Sequence, residues 1–199
     1  MNIGVMGGTF DPVHNGHMVV AEEARTRLSL AEVIFIPAGQ PWLKADRVVS
    51  AAEHRAAMVR LAIADKPYFS LSSMEIERPG PTYTADTLAE LRGQLGFEDE
   101  LYFIIGMDDL AQLMRWKDPD KLVKLCFVVV APRPGYRQPD LESMEKGIPG
   151  LSRRVIFMDR PELDISASEI RQKVARGLSI SHLVPESVDR YIREQGLYL

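Results

Sequence analysis

Gly7-Gly-Thr-Phe-Asp-Pro-Val-His-Asn-Gly-His17 follows directly on the short apolar run Ile3, Val5, Met6. The junction reads as a buried strand that ends in a glycine turn and gives way to a helix near the histidines. Gly7 and Gly8 carry no Cβ, so the backbone can turn sharply and a phosphate can come close. The helix start adds unpaired N–H groups and the positive end of its dipole. His14 and His17 can each offer a ring N–H to a phosphate oxygen, which suits a nucleoside triphosphate. The dinucleotide fingerprint Gly-x-Gly-x-x-Gly fits poorly. Gly4 and the Gly7–Gly8 pair have the wrong spacing, and the second apolar run, Val33 to Ile36, ends in Pro37 rather than an acid. A strand–turn–helix with surface histidines is the bland alternative. A zinc site on His-x-x-His would need further ligands, and none is close in sequence.

Working outward, strand-like runs occur at Asn2–Met6, Val33–Pro37, Phe69–Ser72, Leu101–Ile105, Cys126–Ala131 and Val155–Met158. Helical spacing links the early ones. His17–Leu28 has Val20, Ala24, Arg27 and Leu28 near one face, and Ser50-Ala-Ala-Glu53 is a capping-box pattern for a helix to about Ala64. Thr84 or Asp86 can cap a third helix to Leu95, with Gly96 as its stop. Strands alternating with helices imply a parallel sheet covered on both faces, with ligands beyond its carboxyl edge. Residues 132–151, rich in Pro, Gly and charge, read as an exposed loop with one short helix. Ser166 to Leu199 reads as two helices divided near Gly177–Pro185. One domain over residues 1–199 is expected.

Composition narrows the function. The 199 residues are 46% hydrophobic and 26% charged, with net charge −4. That balance suits a globular chain and argues against broad phosphate-backbone attraction, so no nucleic-acid partner is expected. Cys126, the single cysteine, falls in an apolar run and reads as core. No run approaches ~20 apolar residues, and no signal-peptide pattern is seen, so a cytoplasmic protein without membrane contact is expected.

Four more stretches can carry chemistry. In Ile165-Ser-Ala-Ser-Glu-Ile-Arg171, Ser166 and Ser168 can cap a helix or donate to phosphate, and Arg171 can reach the same anion. In Pro37-Ala-Gly-Gln-Pro-Trp-Leu-Lys44, Lys44 can neutralise a transferring phosphate. In Thr82-Tyr-Thr84, N–H groups and hydroxyls at a helix start can bind a small carboxylate. In Gly106-Met-Asp-Asp-Leu-Ala-Gln-Leu-Met-Arg-Trp116, Gly106 permits close approach and Asp108 can accept from ribose hydroxyls. Trp116 can stack on a pyridine ring.

Residues 7–17 match all nine fixed positions of GGTFDPxHxGH, and over essentially its whole length the chain resembles the bacterial nicotinate-nucleotide adenylyltransferases of the HxGH nucleotidyltransferase superfamily. The 165–171 stretch is similar to the family's ISSTxIR element, with Ala167 and Ser168 in place of serine and threonine. Leu43 stands where the family has histidine. The resemblance implies an α/β, Rossmann-like three-layer fold with a mostly parallel sheet and a C-terminal helical part. It implies transfer of AMP from ATP, with Mg2+, to nicotinate mononucleotide, giving deamido-NAD and pyrophosphate. His14, His17, Lys44 and Arg171 are then the cationic or donor groups at the reacting phosphates. Gly7, Gly8, Thr9, Phe10, Gly16, Gly106, Asp108, Ile165, Ser166 and Ser168 hold ATP. Thr82, Tyr83, Thr84 and Trp116 hold the acceptor. Relatives acting on phosphopantetheine or nicotinamide mononucleotide, an NAD-binding dehydrogenase and a non-catalytic nucleotide sensor are the alternatives. A homo-oligomer is compatible with all of them.

Overall fold

The computed structural model describes residues 1–41, 49–96 and 98–199. In chain order the elements are β1 (Asn2–Gly8), α1 (Asn15–Arg27), β2 (Glu32–Pro37), β3 (Gln40–Pro41), α2 (Ala52–Ile63), β4 (Phe69–Leu71), α3 (Met74–Glu77), β5 (Pro81–Thr82), α4 (Thr84–Gln94), β6 (Glu100–Gly106), α5 (Met107–Gln112), α6 (Pro119–Leu125), β7 (Phe127–Ala131), α7 (Leu141–Glu145), β8 (Val155–Phe157), α8 (Ala167–Ala175) and α9 (Glu186–Glu194).

Six strands form one sheet in the order β4-β2-β1-β6-β7-β8, all pairings parallel. These are the six apolar runs of the sequence. They read as continuous rather than alternating because both faces are covered. On β6, Tyr102 and Ile104 face a core shared with α1, α2, α8 and α9. Leu101, Phe103 and Ile105 face a second core with α4, α5, α6 and α7. Each fully buried Val, Leu or Ile contributes about 1.5–3 kcal/mol, so the sheet is a stiff platform for the loops at its edge. The chain builds β2 and β4 to one side of β1, then returns to place β6 on the other. That reversal is where a doubly wound sheet opens a crevice.

Several local expectations need correction. Ser50 does not cap α2; Ala51 holds that position, and the Ser50 backbone is used elsewhere. Thr84 and Asp86 do not cap α4: Tyr83 precedes it, and the Asp86 carboxylate pairs with Lys117 and Lys121. Helix α1 buries Met18, Ala21 and Ala24, while Arg27 pairs with Asp159. The 132–151 stretch contains α7 and sends Met144, Ile148 and Leu151 into the second core. Cys126 is core, and burial pushes its thiol pKa up to about 12, so it is inert at neutral pH.

Candidate active site

The signature segment leaves β1 at the crevice and turns through Phe10, whose φ is +51° although its side chain is buried. The Phe10 ring lies over Gly8, where a Cβ would meet it at 3.2 Å. A side chain there would need the Phe10 ring to give by a few tenths of an ångström, so glycine suits the chain's own packing. His14 caps α1 with an extended backbone, and its N–H donates to Nδ1 of His17 at 3.2 Å. The two rings stack, centroids 3.7 Å apart. Because His17 Nδ1 accepts, its ring proton sits on Nε2. Burial, with the Arg133 charge, pushes the His14 pKa down to about 4. At neutral pH His14 is therefore a neutral donor, not a cation. A Cβ on Gly16 would meet the His14 ring at 3.0 Å, tighter than an ordinary contact, so glycine there leaves room for that ring.

A second set of contacts braces this segment from beneath. Arg55, 1% exposed, donates to the carbonyls of Ser50 (2.9 Å), Thr9 (2.9 Å) and Gly39 (3.1 Å). Burial lowers its pKa from the ordinary guanidinium value, and the Asp11 charge opposes that. The Asp11 carboxylate accepts from the Tyr198 hydroxyl (2.7 Å) and the Ser50 N–H (3.3 Å). The Asp11 carbonyl accepts from Arg171 Nη1 at 2.7 Å, and Arg171 Nη2 donates to Ser168 Oγ at 3.3 Å. Arg171 is thus braced by the signature loop, and Ser166 caps α8 by accepting from the Glu169 N–H.

These parts line one cleft of about 420 Å3 at the carboxyl edge of the sheet, within the range of ligand sites. Of the residues singled out in the sequence, the structure brings His14, His17, Arg171, Gly7, Gly8, Thr9, Phe10, Gly16, Gly106, Asp108, Ile165, Ser166, Ser168, Thr82, Thr84 and Trp116 to its wall. Tyr83 is not in that wall; its ring lies under the Lys117 ammonium, 4.1 Å from the centroid. Lys44, like Trp42 and Leu43, lies outside the described residues. Of the buried side-chain atoms that find no partner among the described residues, His14 Nδ1, Thr82 Oγ1, Asp108 Oδ1 and Trp116 Nε1 belong to cleft residues, and Glu22 Oε2 does not. Buried polar atoms are normally paired, so such a cluster marks a surface shaped to pair with a ligand. Among the described residues no group of three or more His, Cys, Asp or Glu could hold a metal ion.

Arg55, Arg133, Asp11, Glu75 and Tyr198 were not singled out from the sequence. Arg133 follows the end of β7 and its guanidinium lies 3.3 Å from Asp108 Oδ2, placing a cation in the cleft wall. Its place just past a strand end was a usable signal. So was Arg55, which interrupts the apolar stripe of Met58, Val59 and Ala62 at helical spacing. The Asp11–Tyr198 bond spans 187 residues and left no local trace.

Residues 5–173 match the model of the cytidylyltransferase-like family. A "Probable nicotinate-nucleotide adenylyltransferase" of Dehalococcoides mccartyi (strain CBDB1) is 49% identical, the match covering 100% of this chain and 97% of the relative. A relative of the same name from Moorella thermoacetica is 45% identical over 98% of this chain and 91% of its own length. In fold, the chain is similar to the nicotinic acid mononucleotide adenylyltransferase of Plasmodium falciparum complexed with NaAD. That match has a TM-score of 0.81 at 23% identity, covering 99% of this chain and 97% of the other.

Proposed function

We infer the reaction from a premise of kinship: the chain belongs to the cytidylyltransferase-like family and, within it, to the nicotinate-nucleotide adenylyltransferases. It is an enzyme that transfers AMP from ATP to nicotinate mononucleotide, giving deamido-NAD and pyrophosphate in NAD biosynthesis. The observation that carries this reading on the molecule itself is the convergence on one cleft of two phosphate-type segments, 7–17 and 165–171, with the Thr82–Thr84 and Gly106–Trp116 segments.

The geometry of the cleft supports the following assignment of roles. An oxygen of the mononucleotide phosphate attacks the α-phosphorus of ATP in line. A new O–P bond forms, the bond to the β-phosphate oxygen breaks, and pyrophosphate leaves with that electron pair. The nucleophile is already an anion, so no strong base is required, and the rate comes from alignment and charge stabilisation. The ring N–H groups of His14 and His17, the α1 N-terminus and Arg171 serve the phosphates. Lys44 is proposed for the same task on sequence grounds. Gly7, Gly8, Thr9, Phe10, Gly16, Ile165, Ser166 and Ser168 surround the triphosphate, and Gly106 and Asp108 take the nucleoside. Thr82, Thr84 and Trp116 take the pyridine end. The histidines stack on each other and, among the described residues, no group of three or more acidic or His side chains could hold a metal, so this cleft fits a cation arriving on the triphosphate rather than a resident one. Mg2+ is then part of the substrate, held by phosphate oxygens and water. We place the activity in the cytoplasm, where ATP is supplied, in one domain spanning residues 1–199.

The test is pyrophosphate release from ATP with nicotinate mononucleotide, nicotinamide mononucleotide and phosphopantetheine offered in turn. Release with the first at the highest kcat/KM is expected. Release only with phosphopantetheine, or with no acceptor at all, overturns the reading.

A further inference from the structure

We propose that Tyr198 is a positioning residue for the phosphate-binding loop and acts through Asp11; the proposal rests on the adenylyl-transfer reading above. Asp11 sits in the middle of that loop and is 4% exposed. A buried carboxylate beside a triphosphate site would repel the substrate if it faced it unpaired. Here both oxygens are committed elsewhere: Oδ1 accepts from Tyr198 at 2.7 Å and Oδ2 from the Ser50 N–H at 3.3 Å. The charge of Arg55 acts on the same carboxylate, and the Asp11 carbonyl holds Arg171. Asp11 is thus a strut on which the loop, the lead into α2, helix α8 and the C-terminal turn all meet.

The backbone supplies an independent sign that the tyrosine is aimed. Tyr198 has φ of +67°, a left-handed conformation that a bulky residue adopts only where its surroundings fix it. Its ring packs against the first core, which sets the direction of the hydroxyl. Burial and the hydrogen bond to Asp11 push its pKa well above the ordinary tyrosine value, so the O–H is a permanent donor. Removing that proton donor leaves Oδ1 of a buried carboxylate unpaired and frees the loop to turn it toward the phosphates.

The test compares Tyr198→Phe with Tyr191→Phe. Both delete one hydroxyl near the C-terminus. Among the described residues the Tyr191 hydroxyl bonds to His54 of α2, at 2.9 Å, and not to the loop. Wild-type turnover with nicotinate mononucleotide is measured first; its absence would count against the reaction, not against Tyr198. With turnover in hand, Tyr198→Phe is expected to raise KM for ATP about tenfold, with KM for the acceptor held within about twofold. Tyr191→Phe should leave both constants within about twofold while lowering Tm comparably. In an Asp11→Ala background, followed by equilibrium titration of ATP, the Tyr198→Phe effect should vanish, as expected of residues that act as a pair. The proposal is overturned if Tyr198→Phe changes KM for ATP no more than Tyr191→Phe does, or if its effect persists undiminished without Asp11. Should Asp11→Ala fail to fold, the two tyrosine variants alone decide.

Discussion

Replacing Arg55 by methionine keeps a long apolar stem and deletes the guanidinium. Three part-buried carbonyls, on Ser50, Thr9 and Gly39, each lose the Arg55 donor. Each unpaired buried acceptor costs about 1–3 kcal/mol, and removing the cation also strands the Asp11 charge. Carbonyls that relax toward water recover part of that, so a loss of about 3–5 kcal/mol is expected, the range seen on breaking a buried charged network. For a chain of this size 1 kcal/mol corresponds to roughly 2–4 °C, so Tm should fall by about 6–20 °C. Arg55→Lys should lie between wild type and methionine, because an ammonium cannot span three carbonyls fixed by a planar fork. Thermal and urea unfolding of the three proteins measure this directly. Because Thr9 lines the cleft, KM for ATP should rise in the same order. A loss under about 1 kcal/mol in Arg55→Met would refute the reasoning, showing that water serves these carbonyls as well as the arginine does.

His17→Ala should leave the fold intact and lower kcat by on the order of 10²–10³, the worth of one preorganised donor at a developing oxyanion; retention of a third of wild-type kcat would remove His17 from that role. His14 makes stability depend on pH. Its folded pKa, about 4, lies below its unfolded value of 6.5, so the unfolded chain binds the extra proton between them. Stability is therefore full above the unfolded value, falls by about 3 kcal/mol as pH drops through that window, and levels off below it. Urea unfolding of His14→Asn should show a visibly shallower slope there, and an equal slope would disprove it. Acceptor choice follows from donors: Thr82 Oγ1 and the first-turn N–H groups of α4 can pair both oxygens of a ring carboxylate but not the NH2 of an amide. Wild type should prefer the acid mononucleotide by at least ~10² in kcat/KM, Thr82→Val should cut that ratio about tenfold, and Trp116→Ala should raise KM for both acceptors at a steady ratio. Equal use of the two mononucleotides by wild type would dismiss the carboxylate pocket.

The sheet was legible because a strand buried on both faces leaves an unbroken apolar run, as at Val128–Val130, and the cleft lining because the 7–17 and 165–171 segments that contribute to it are local in sequence. The capping assignments failed where a residue had a stronger tertiary demand. Ser50 gives its N–H to Asp11 and its carbonyl to Arg55, and Asp86 goes to two lysines rather than to its own helix. Of the α1 face, Ala24 enters the core and Val20 and Leu28 pack at its rim, as the spacing implies; Arg27 alone departs, drawn out to Asp159. The braces beneath the loop stayed hidden for a different reason. Arg55 and Tyr198 find partners 46 and 187 residues away, and no period or motif encodes such a meeting.

The place of β1 in the middle of the sheet has a consequence for the order of synthesis. Its first partner, β2, follows within a few tens of residues, but Asn2 pairs with Glu100 on the other side. At about 5–20 residues per second that flank of β1 stands open for roughly 5–20 s on the ribosome. Through that interval Ile3 and Val5 lack the Leu101 and Phe103 that later cover them, and an unpaired strand edge invites pairing with another chain. A polar residue at Ile3 or Val5 would make the nascent chain safer and the finished sheet weaker. The two apolar side chains thus commit the protein to a hazard during its birth as the condition of having a central strand.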